Sequence, residues 1–114
     1  MQEIISQITK EIKKNLLPKL KVFKDFKVIE ICRKDDYLGY YKYNTYKKPI
    51  IKINTSQIYN SCQEYDTPYY IAIKTTILHE LAHAIQDYKE KPFDEEEAED
   101  FAIQYHDFGK ILKI

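Results

Sequence analysis

Leu78-His79-Glu80-Leu81-Ala82-His83 has the form HExxH and sits inside the apolar run Tyr69 to Ile85. On an α-helix, residues four apart lie about 40° apart in azimuth and roughly 6 Å apart along the axis, so His79 and His83 can aim imidazole nitrogens at one ion. Glu80, one residue from a ligand, is badly placed to coordinate that ion. It is well placed to take a proton from a water beside it, which is the division of labour a zinc hydrolase needs. The competing interpretation is an ordinary helix that happens to carry two histidines and a glutamate. Against it, two of the chain's three histidines fall in this motif, and a buried histidine pair needs partners that a metal supplies.

The elements that must position these residues are legible as periods. Asp66-Thr67-Pro68 reads as a helix start, a capping oxygen followed by a proline in the first turn. Behind the metal face, Ile71, Leu78, Ala82 and Ile85 follow helical spacing, with Ile77, Leu81, Ala84 and Tyr88 on a second stripe, so this helix is mostly buried. Residues 2–17 carry Ile4, Ile5, Ile8, Ile12 and Leu16 at the same spacing, and Pro18 stops the helix nearby. This is a backing helix with one buried stripe, lacking the bulky aromatics of a membrane-surface anchor. Phe26 to Cys32, Tyr37 to Tyr43 and Pro49 to Thr55 are three β-rich runs separated by turn residues, which predicts a three-stranded, mostly antiparallel sheet. Pro49 suits an edge or a strand start, and such an edge could accept an extended peptide. Ser56 to Glu64 forms a short helical connection. Tyr37, Tyr40, Tyr41, Tyr43 and Tyr46 crowd the second strand and its turn, as aromatic packing on both sheet faces or as a contact surface for substrate or a second copy of the chain.

After Lys89-Glu90-Lys91-Pro92 breaks the metal helix, Asp94-Glu95-Glu96-Glu97-Ala98-Glu99-Asp100 opens a last helix whose buried stripe is Ala98, Phe101, Ala102 and Tyr105. Carboxylates are favoured in a first helical turn by the helix dipole, so most of these acids are solvated. A catalytic zinc nevertheless needs a third protein ligand, and this is the acidic helix able to return across the ion. On a helical wheel Glu95 and Glu97 flank the apolar stripe on opposite sides, while Glu96 points farther away, and periodicity does not choose between the first two. His106 lies some 16 Å down the helix from Glu95, at about 1.5 Å per residue, and is a surface histidine.

HELAH followed about a dozen residues later by ExxAE resembles the gluzincin metallopeptidases, whose pattern is HExxH with a downstream glutamate in ExxA[ND] or ExxxD. The match covers residues 79 to 102, and by size the chain is similar to the minimal single-domain members, the minigluzincins and selecase-like peptidases. The resemblance implies an α+β, zincin-like single domain over residues 1–114, in which the small sheet lies between the backing helix and the HExxH helix and a C-terminal glutamate helix follows. It implies Zn2+ held by His79, His83 and Glu95, Glu80 as general base and acid, and Glu99 as the acid that supports a ligand histidine, where the pattern usually has Asp or Asn. The implied activity is hydrolysis of peptide bonds in unstructured proteins or peptides, with latency through self-association. The tyrosine cluster and the tail Phe108 to Ile114 are the segments to suspect for that latency. The string EEEAEDFA also resembles a signature of peptidases linked to phage and stress repressors.

Composition narrows the alternatives. Eighteen basic and eighteen acidic residues cancel, and the lysines are spread along the chain, so nucleic acid is not an expected partner. No stretch approaches the roughly 18 apolar residues of a membrane span, and the N-terminus lacks the form of a secretion signal, so a cytoplasmic protein without a membrane partner is expected. Cys32 and Cys62 have neither metal-ligand nor redox spacing and are expected as buried thiols rather than a bridge. The rival from another class is a zinc-stabilised binding or regulatory module without turnover, which requires a closed four-ligand metal.

Overall fold

In the computed structural model, which describes residues 2–45 and 47–106, the stripe Ile5, Ile8, Ile12 and Leu16 is buried against the core. It runs through α1 (Gln2–Glu11), a π-helical turn (Ile12–Leu16) and α2 (Leu17–Leu20). Pro18 therefore does not stop the helix. The N–H of Leu17 reaches back to the carbonyl of Ile12, and the widened turn moves the carbonyls that a proline ring would otherwise meet. The helix ends at Lys21, which is left-handed at φ 53°.

The sheet departs from the mostly antiparallel expectation. Its order is β1 (Lys27–Ile31), β3 (Ile50–Asn54), β2 (Gly39–Tyr41). β1 runs parallel to β3, and β2 runs antiparallel to it. Pro49 consequently begins the central strand and lies on no edge. Its missing N–H is harmless there, while its carbonyl accepts from the N–H of Lys27 at 2.8 Å. Ile51 and Ile53 of β3 are fully buried, as expected for a strand covered by neighbours on both sides. Asn54, also fully buried, holds the β1–β2 loop: its amide donates to the carbonyls of Arg33 and Tyr37, both at 3.1 Å, and its oxygen accepts from Arg33 N at 3.0 Å.

Helix α3 (Thr55–Tyr65) follows directly and ends at Asp66, left-handed at φ 51°. Asp66 thus closes α3 and caps nothing on α4 (Tyr69–Tyr88), which starts after Pro68 without a side-chain cap. Ile73, Ile77, Leu78, Leu81 and Ala84 of α4 are fully buried, whereas Tyr88 is 42% exposed. Glu90, at φ 56°, turns the chain into α5 (Glu95–Tyr105), where Asp94 is the N-cap and accepts from the N–H of Glu97 at 3.0 Å. Ala98 and Ala102 are fully buried, which lets α5 lie close to α4. The molecule is a small α+β domain with a mixed sheet, and among the described residues no helix is long and apolar enough to cross a membrane. Both cysteines are free, but Cys32 is exposed, because β1 ends one residue before it, and only Cys62 is buried. Leu81 belongs to the core on the buried side of α4. Leu81→Ala is expected to cost about 2–5 kcal/mol of stability, read as a lower urea midpoint at unchanged slope.

Candidate metal centre

One turn of α4 separates His79 from His83, and their rings stand 5.0 Å apart. The cap at Asp94 makes Glu95 the first residue of α5, which delivers its carboxylate across the two rings. Oε1 of Glu95 lies 2.5 Å from Nε2 of His83 and 3.3 Å from Nε2 of His79. The ligand atoms of these three residues lie within 4.8 Å of one another, and the group could hold a metal ion. Glu97 is elsewhere: its oxygens accept from Lys91 Nζ at 2.9 Å and from Gln86 Nε2 at 3.1 Å. Glu96 is exposed. His106 binds the carbonyl of Ile103 through Nδ1 at 2.6 Å and is not among the grouped ligands.

The far nitrogens decide what the near ones are. Nδ1 of His79 lies 3.0 Å from Oε2 of Glu99, an acceptor when ionised, so Nδ1 carries the proton. Nδ1 of His83 lies 3.0 Å from Oε1 of Gln86. That amide cannot be flipped, since Oε1 also accepts from the backbone N–H of Asp94 at 3.2 Å, while Nε2 donates to Asp94 O at 2.9 Å and to Glu97. An Nδ1–H on each ring, held by these acceptors, leaves the Nε2 atoms facing Glu95, to donate to it when protonated and to bind an ion when not. With both Nε2 atoms bare, they and the Glu95 oxygen could together hold a cation; without one, a proton between His83 Nε2 and Glu95 Oε1 accounts for their 2.5 Å contact.

Charges around the point follow from this. Burial pushes the Glu95 carboxyl up, but hydrogen bonds from His79 and His83 and their charge outweigh it and hold it below the usual range. Glu80 is buried at 8% exposure, and burial raises its carboxyl, opposed by His79 and His83 and helped by Glu95. The fold thus keeps this carboxyl reluctant to ionise, through its burial.

Glu80 opens into a cleft of about 670 Å³ that is also lined by Gly39, Tyr41, Tyr43, Thr76 and Phe93. The hydrogen bonds from Asn54 N to Leu38 O and from Lys42 N to Ile50 O show which residues of β2 face β3. The backbone groups of Gly39 and Tyr41 therefore face the other way, along a strand edge beside the cleft. Phe93 stacks on His83 at 4.3 Å and 8°, and Tyr43 lies 6.2 Å from Phe93. The hydroxyl of Tyr41 donates to Asp87 at 2.5 Å, and Asn44 N donates to the same oxygen at 3.0 Å, which pins the β2–β3 loop to the end of α4. Tyr37, Tyr40, Tyr41 and Tyr43 all line the cleft; Tyr46 and residues 107–114 lie outside the described residues.

Sequence reasoning missed Gln86, Gly39 and Phe93. Gln86 stands three residues after His83, on the same helical face, and a polar residue there is the available signal. Gly39 is one of only two glycines in the chain, and a glycine within a strand pattern marks a close backbone approach. Compared with known proteins, the chain matches no family model, no curated protein and no solved structure.

Proposed function

We propose that the chain is a zinc-dependent metallopeptidase of the gluzincin kind, with a zincin-like fold, that hydrolyses peptide bonds in unstructured proteins or peptides. The observation that carries this is the convergence of His79 Nε2, His83 Nε2 and Glu95 Oε1 with a buried glutamate beside them and no fourth ligand in the group among the described residues. A three-ligand set leaves a coordination position for water, where a structural zinc takes four protein ligands. Zinc held there supplies Lewis acidity toward a carbonyl and lowers the pKa of a water toward neutrality. Glu80 would take a proton from the attacking water and return it to the leaving amine. The free edge of β2 pairs with the substrate backbone, and extended, unfolded chain is what a strand edge accepts.

The test is cleavage of casein by the zinc-loaded protein over a dilution series, with and without a chelator. Chelator-sensitive cleavage is the expected result, and a specific activity that rises on dilution would add self-association as the source of latency. Silence at every concentration, with zinc bound at one equivalent, would overturn the assignment.

A further inference from the structure

Gln86 is 2% exposed and contributes no ligand atom to the metal group, yet it touches the supports of two of the three ligands. Through Oε1 it accepts from His83 Nδ1. The same amide accepts from Asp94 N and donates to Asp94 O, so both backbone groups of the residue immediately before Glu95 are tied to it. Its remaining hydrogen reaches Glu97, on the next residues of the same turn. We propose that Gln86 is a positioning residue that fixes His83 and the start of α5 with one side chain, so that the His83 ligand and the Glu95 ligand are set relative to each other before any ion arrives. This rests on the metal site of the proposed function but not on its turnover.

The physical content is preorganisation. A ligand histidine whose second nitrogen has no acceptor can rotate or take the other tautomer, and an ion must then order it on binding. The first turn of α5 has a side-chain cap only through Asp94, and the two Gln86 contacts tie that residue to α4, beside the Phe93–His83 stack and the backbone bond from Lys91 N to Gln86 O. His79 depends on Glu99 instead, so loss of Gln86 acts on one imidazole and spares the other.

Gln86→Met keeps the volume and removes every hydrogen bond. Gln86→Glu keeps the acceptor for His83 and Asp94 N. Zinc affinity is measured by competition with a chromophoric chelator, and the zinc-loaded proteins are compared by proton NMR in the imidazole N–H region. The wild type is expected to show two protected Nδ1–H resonances. Gln86→Met is expected to bind zinc roughly 10- to 100-fold more weakly and to lose one resonance, with the His79 proton unmoved. Gln86→Glu is expected to keep the His83 proton and most of the affinity. Equal affinity and an intact His83 proton in Gln86→Met would overturn the inference. If Gln86→Met does not fold, the His83 proton of Gln86→Glu decides, its presence supporting and its absence overturning the assignment. A wild type that binds no zinc would instead defeat the metal reading itself, which separates the two failures.

Discussion

Glu80→Gln is expected to lower kcat for peptide hydrolysis by about 10²–10⁴-fold, the usual worth of a positioned general base, while zinc affinity stays unchanged. The amide keeps the shape of the side chain and loses the ability to take a proton. Metal content and turnover measured on the same preparation check this, and a variant that still cleaves at the wild-type rate would remove Glu80 from the mechanism. The metal-free protein adds an independent readout. Burial raises the Glu80 carboxyl in the folded state, so the fold favours the protonated form. That contribution is fully present below the unfolded carboxyl range, near pH 4.3, and is lost as pH rises through the raised folded value. Metal-free Glu80→Gln should therefore melt above the wild type at neutral pH, and the gap should close on acidification. A gap that widened on acidification would mean that the folded state does not disfavour the ionised carboxylate.

The second large effect is expected at Gly39. A Cβ placed there would meet Cγ2 of Thr76 at 2.9 Å, Cγ of Glu80 at 3.0 Å and the backbone oxygen of Lys52 at 3.2 Å. The glycine has no positive φ, so its use is closeness rather than backbone freedom: it lets β2 lie on α4 at Glu80. Gly39→Val cannot be accommodated by Lys52, whose oxygen belongs to the central strand, and must push β2, Thr76 or Glu80 aside. A loss of about 1–3 kcal/mol in stability follows from overpacking, and kcat should fall by about 10²-fold if Glu80 moves by roughly 1 Å. Gly39→Ala should show the same signs in smaller measure. Zinc affinity should hold within a few-fold, because neither ligand histidine touches that contact. A Gly39→Val protein with wild-type melting and turnover would show that the strand does not set the glutamate.

Much of this site was readable because it is local. His79, Glu80 and His83 share one helix, and the spacing that brings them together is intrinsic to the helix. The stripes of α1 and α5 were readable for the same reason. Glu95 was only half readable: the wheel left Glu97 equal to it, and what separates them is Gln86 and Lys91 holding Glu97 away, which no period encodes. The sheet is less legible, because strand order is a long-range property. Three β-rich runs with turns between them suit a meander, but Asn54 gathers the β1–β2 loop and sends β2 to the far side of β3. At Asp66 a residue type that begins helices was found ending one, since aspartate also tolerates the left-handed conformation that a helix end needs. Pro18 was overrun because a π-helical turn absorbed it.

The strand order β1-β3-β2 also divides the sheet by the entropy of forming it. β2 and β3 close through one short loop, whereas β1 reaches β3 only after the whole of β2 has been enclosed, and a longer closure costs more before any contact rewards it. The antiparallel pair is the cheaper half to close, and it holds β3 over three paired residues where β1 holds it over five. It is also the half that forms the cleft wall against α4.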